Sequence, residues 1–174
     1  MHATRSRVLK AGEGKSGMLG SMGVRFMIDA SDSGRGFSLV EHPIPPRALG
    51  APLHRHSRED EYSYVTRGRV GALLGDEVVI GEAGDLIFKP RGQWHTFWNA
   101  GDEPAAILEI ISPAGFERYF EELVDMGGPA KVDPQALVEL RNRYGLEMDL
   151  ESIPVLASRF GLRLPQKPTP PLHE

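Results

Sequence analysis

The chain has 174 residues, enough for one domain with a self-sufficient core, and its 40% hydrophobic and 25% charged residues are ordinary for a soluble protein. A formal charge of −4 offers no basic face for nucleic acid, and no stretch approaches the roughly 20 apolar residues of a membrane helix. With no cysteine, disulfides, thiolate metal sites and thiol nucleophiles are excluded, and a cytoplasmic location is expected.

Residues 1–20 are glycine-rich and polar and read as an N-terminal arm. They carry Arg5, Arg7, Lys10 and Lys15, but no apolar run follows, so no secretory signal is read. Gly12-x-Gly14-Lys15-Ser16 lacks the preceding strand and the spacing of a phosphate loop. A β-barrel is expected over residues 21–112. Its first strands are read at Met22–Ala30 and Gly36–Glu41, with Pro43-Ile-Pro-Pro breaking the ladder because proline donates no hydrogen bond. Short β-prone runs follow at Glu61–Arg67, Val70–Leu74, Val78–Ile80, Asp85–Lys89, Trp94–Asn99 and Ala105–Ser112. Glycine- and proline-containing turns separate them, the pattern of an all-β barrel or sandwich.

After Ser112 the period changes, and a helical segment is expected over residues 113–164. Phe116, Tyr119, Phe120, Leu123 and Val124 recur at helical spacing up to Gly127. Asp133-Pro134 reads as a cap with proline at the first helical position, and Gly145 closes the stripe Leu137, Leu140, Tyr144. A third helix is read between Glu151 and Phe160. Residues 165–174 hold four prolines and read as a Pro-rich tail.

The chemistry lies in two clusters: His54-x-His56-x4-Glu61-x6-Gly68, and Gly84-x5-Pro90-x-Gly92-x2-His95-x3-Asn99. Alternate residues of a strand share a face, so His54 and His56 stand side by side. Glu61 begins the next extended run and can return to the same place, while His95 must arrive from a later strand. Three imidazoles and one carboxylate make a site for a divalent metal ion: iron, manganese, nickel, copper or zinc. Glu59 and Asp60 are read as a solvated acidic turn. Strand parity places Ser63 and Val65 on the face of Glu61, and Phe97 and Asn99 on that of His95, as candidate substrate-pocket residues. Trp94 and Trp98 fall on the opposite face, packed between sheets or at a subunit contact. Arg25 and Lys89 are read as solvated surface.

These two clusters resemble the two motifs of the cupin family, and the resemblance covers residues 20–112. The opening glycine of the first motif is displaced, since position 48 is Ala and the nearest glycine is Gly50. The resemblance implies a mainly β fold, a double-stranded β-helix (a jelly-roll barrel), here with a C-terminal helical segment like that of single-domain, quercetin-dioxygenase-like members. It implies one divalent metal ion bound by His54, His56, Glu61 and His95, with Glu61 also able to act as a catalytic base. It leaves the reaction open. A dioxygenase-like oxygenase acting on a small aromatic or enolic compound is the leading expectation. A non-redox isomerase or decarboxylase, and a small-molecule-binding protein without turnover, are the alternatives. A homodimer is expected because barrel sheets have edges that a partner covers.

Overall fold

Ten short strands and their turns come first in the computed structural model, which describes residues 6–164. They are β1 (Ser16–Leu19), β2 (Met22–Ile28), β3 (Ser38–Ile44), β4 (Leu53–His56), β5 (Asp60–Arg67), β6 (Arg69–Leu74), β7 (Glu77–Glu82), β8 (Leu86–Lys89), β9 (His95–Asn99) and β10 (Ala105–Ser112). Then come α1 (Glu117–Asp125), α2 (Pro134–Tyr144), β11 (Leu146–Asp149) and α3 (Ser152–Phe160). Two antiparallel sheets result, one ordered β1-β2-β3-β10-β5-β8 and the other β11-β4-β9-β6-β7. The fold is mainly β with helices at the C-terminal end, as expected.

Period-2 burial explains the layers. Along β3, Ser38, Val40, His42 and Ile44 are buried while Pro43 is exposed; along β10, Ala105, Ile107, Glu109 and Ile111 are buried. Val65 and Ile107 are fully excluded from water within one end of the barrel, each contributing roughly 1.5–3 kcal/mol. A second cluster joins Val40 and Ile111 to Phe116, Phe120 and Leu140, so α1 and α2 cover the barrel rather than stand apart from it. Asp133 caps α2 by accepting from the backbone N–H groups of Gln135 and Ala136 at 2.9 and 3.2 Å, and Gly145 ends the helix at φ 65°.

Several expectations are corrected. The arm read through residue 20 ends in strand β1, which pairs with β2 from Ser16–Arg25 to Leu19–Met22. Strand β3 does not stop before Pro43. Its register with β2 runs only from Arg25–Glu41 to Ile28–Leu39, so the missing proline N–H falls where β2 asks for no donor, and Pro43 still stands opposite Ala106 of β10. The helical segment contains a strand, β11, whose four residues are too few to show a period. It pairs with β4, setting Leu146 opposite His56 and Met148 opposite His54. Trp98 is 2% exposed and stacks on Phe160 at 3.9 Å, so it packs beneath α3 rather than between the sheets. The expected Pro-rich tail, residues 165–174, and residues 1–5 of the arm lie outside the described residues. Among the described residues no helix is long and apolar enough to cross a membrane.

Candidate metal centre

Four local and cross-strand features bring the candidate ligands together. On β4 the burial alternates so that His54 and His56 both point inward. His95 opens β9 directly across from His54, and the two rings lie 4.3 Å apart. Glu61 follows the turn after β4 as the second residue of β5 and points inward. Gly92, at φ 78°, donates its N–H to the carbonyl of His56 at 2.7 Å and so ties the turn before His95 to the strand of the first two ligands. One donor atom from each of His54, His56, Glu61 and His95 falls within 4.8 Å of the others, and all four residues are buried.

The rings are oriented for coordination. A carbonyl only accepts, so His54 Nδ1–H donates to Pro52 O at 2.8 Å and His95 Nδ1–H donates to Gln93 O at 3.0 Å. Both rings thereby turn an unprotonated Nε2 towards the centre, the outer hydrogen bond that usually fixes a metal-binding histidine. Burial, then the neighbouring imidazoles, hold His54 well below the usual histidine range; burial lowers His56 to about 4. Burial would push Glu61 up, but the Lys89 ammonium outweighs it and keeps the carboxyl well below its ordinary value.

The donor set fits a cation. His95 Nε2 faces Glu61 Oε2 at 3.2 Å, and His56 Nε2 lies 3.3 Å from Glu61 Oε1. A ring lone pair facing a carboxylate oxygen is repulsive unless a positive charge stands between them. Among the described residues neither ring nitrogen of His56 has a hydrogen-bond partner, although burying an unmet polar atom costs about 1–3 kcal/mol. A divalent ion would satisfy the inward lone pairs, and imidazole with carboxylate suits iron, manganese, nickel, copper or zinc.

The neighbours of the cluster depart in part from expectation. Lys89, expected on the solvated surface, is 1% exposed. Its ammonium lies 2.9 Å from both Glu61 Oε2 and Glu109 Oε2 and 4.8 Å from the Phe97 ring centre. Burial opposes its charge, but Glu109 and Glu61 outweigh that and raise its pKa. The signal was present in β8, where Leu86 and Phe88 face out while Ile87 and Lys89 face in. Glu59 is also buried rather than solvated; its Oε2 lies 3.9 Å from His56 Nδ1, and burial raises it to about 7. Asp60 does sit at the surface, held well below its ordinary pKa by the Arg91 side chain. Arg25 is paired with Glu41 at 2.7 Å.

The cluster opens onto a cavity of about 260 Å³. Of the residues expected to line a pocket, only Phe97 does so. Gly50 gives its ring room: a Cβ there would stand 2.3 Å from Phe97 Cε2. Ser63 is buried and donates to Glu109 Oε2 at 2.8 Å, and Val65 lies in the core. Asn99 bonds the carbonyls of Ile44 and Glu103 at 3.0 and 2.8 Å. Parity placed these three on the inward face correctly but says nothing of depth, and each strand residue advances about 3.3 Å along the barrel. The other walls include His42 and Glu109 on the barrel and Phe116, Tyr119, Phe120 and Arg141 on or beside the helices. His42 donates from Nδ1 to Gly23 O at 2.9 Å and could have been found by extending the alternation of β3 past Glu41.

Comparison with known proteins agrees with this architecture. Residues 41–111 match the family model described as "Cupin domain". A 66-residue stretch is 44% identical to oxidoreductase iacF of Pestalotiopsis fici, covering 37% of this chain and 31% of that protein. A 60-residue stretch is 35% identical to the tetracenomycin polyketide synthase protein TcmJ of Streptomyces glaucescens, covering 34% of this chain and 40% of that protein. The matches thus span well under half of these curated relatives. A crystal structure described as a predicted oxalate decarboxylase from Thermotoga maritima shares the fold, with a TM-score of 0.58 at 19% identity over 62% of this chain and 99% of that one.

Proposed function

We propose that this chain, whose residues 41–111 form a cupin domain, is a metal-dependent oxygenase acting on a small aromatic or enolic compound. In this reading His54, His56, Glu61 and His95 hold one divalent ion. The observation that carries it is the set of four buried donors within 4.8 Å of one another, opening onto a largely apolar cavity. Four protein ligands leave two positions free on a six-coordinate ion, and a redox-active metal there would supply the electron transfer that dioxygen chemistry needs. One matched relative is named an oxidoreductase, which supports the redox part of this reading, and another is named a polyketide synthase protein.

The chain's own residues have separate tasks. Phe97, Phe116 and Phe120 exclude water and offer apolar surface to a ring. Glu61 is gripped at Oε2 by Lys89, which keeps the carboxylate ionised and able to take a proton from an enol or phenol hydroxyl. His42, lowered to about 4 by burial, stands neutral on the cavity wall and can accept a hydrogen bond. The working unit in this reading is a homodimer. Tyr64, Leu86 and Phe88 are exposed beside one another at the β8 edge of a sheet, an apolar strip suited to a second copy.

The test is elemental analysis of protein purified without added metal, then dioxygen uptake with flavonols, catechols and β-diketones. Bound iron, manganese, nickel or copper, with uptake that Glu61→Ala abolishes, is the expected result. Zinc alone, with no uptake on any of these compounds, would overturn the oxygenase reading in favour of isomerisation, decarboxylation or binding without turnover.

A further inference from the structure

The helical wall of the cavity carries a cation that the metal centre does not use. Arg141 lies on α2, half-buried, and its side chain lines the cavity. Among the described residues its guanidinium makes no ion pair and no hydrogen bond. Arg143, two residues on, is held by Glu122 at 2.9 Å. The two carboxylates that line the same cavity, Glu61 and Glu109, are both engaged by Lys89 from behind. Arg141 is therefore an uncommitted positive charge facing a mostly apolar space.

Tyr119 of α1 lines the cavity as well, and its phenol makes no hydrogen bond among the described residues. Burial pushes its phenol up to about 12, so it remains a donor. Two unspent donors, one charged, thus share the wall formed by α1 and α2, while the barrel wall carries the imidazoles and Glu61. A guanidinium recognises carboxylate in a forked geometry, with a strength well above that of neutral hydrogen bonds.

We propose that Arg141, on the same helical wall of the cavity as the Tyr119 phenol, receives the carboxylate of an aromatic acid whose ring fills the apolar part of the cavity. This names the substrate class for the reading above and rests on that cavity being the substrate site. An arginine that only complemented the carbonyl end of α2 would not select a ligand by charge.

The test compares 2-naphthoate with its neutral counterpart 2-naphthamide by titration calorimetry on the full-length protein as purified. The wild type should favour the naphthoate by about tenfold or more, as expected of a charge-assisted pair in a low-dielectric site. Arg141→Met should bring the two affinities together while leaving that for naphthamide unchanged, and Arg141→Lys should keep part of the preference. The inference is overturned if the wild type does not prefer the acid or binds neither compound. It is equally overturned if the preference survives Arg141→Met, which would send the carboxylate to the metal centre, or if that variant loses both compounds together. Dioxygen uptake is a separate readout: its absence defeats the oxygenase reading and leaves the affinity comparison intact.

Discussion

Lys89 and Glu61 stand directly opposite one another on β8 and β5, both buried, with the ammonium 2.9 Å from Oε2. The same ammonium reaches Glu109 at 2.9 Å, so one cation serves two carboxylates beside the imidazole cluster. Lys89 therefore orients Glu61 for the centre and offsets charge that would otherwise be intolerable in the barrel.

Replacing Lys89 by methionine should leave two buried carboxylates uncompensated and destabilise the protein by about 3–5 kcal/mol. A divalent ion added in excess should recover part of that loss, because it neutralises Glu61 from the other side. Urea unfolding with chelator and with added metal measures both effects. An unchanged midpoint in chelator would remove Lys89 from this role.

Glu61→Ala and His56→Ala should each lower metal affinity by at least about tenfold, as loss of a ligand must exceed the 10–100-fold typical of its supporting partners. Competition with a chromophoric chelator checks this. Chelation should also lower the melting temperature of the wild type, and that shift should be smaller in both variants. A metal affinity unaffected by either substitution would mean the ion, if any, binds elsewhere.

His42 should make the protein acid-sensitive. Its folded pKa is lowered to about 4 from an ordinary value of 6.5, chiefly by burial. Between those values the unfolded chain binds the proton more readily, so stability falls as pH falls. The contribution is up to about 1.4 kcal/mol per pH unit and levels off below pH 4. His42→Gln should flatten the stability profile between pH 6.5 and 4 relative to wild type. Parallel profiles would show that His42 is not the group responsible.

Tyr64 and Leu86 are cross-strand partners at the β5–β8 edge, and Phe88 stacks on Tyr62 at 4.9 Å. If a second copy covers this strip, the wild type sediments as a dimer and Leu86→Asp with Phe88→Asp shifts it to monomer with its fold intact by circular dichroism. A wild type that stays monomeric at tens of micromolar would reject the dimer.

The ligand set was legible because its grammar is local. His54 and His56 are two residues apart, Glu61 follows one turn later, and Pro90-x-Gly92 announces the reversal before His95. The helices were legible for the same reason: Asp133-Pro134 and Gly145 mark the ends of α2 without reference to anything distant. Lys89 was misplaced because a lysine in isolation is a surface residue, and only the register that sets it across from Glu61 makes burial tolerable. Ser63, Val65 and Asn99 were assigned to the right face and the wrong depth.

From the order of residues alone came the barrel class, the turns, the helix ends and the identity of the four candidate ligands, all set by periods and spacings shorter than about a dozen residues. Only the tertiary structure decided which groups share the cavity with them. Arg141 and Tyr119 reach it because α1 and α2 fold back over the barrel, and Met148 because β11 adds to β4; Lys89 stands behind it, on Glu61, because β8 lies beside β5. Those neighbours are far apart along the chain, and what brings them together is strand register and the burial of apolar faces, which no local pattern encodes.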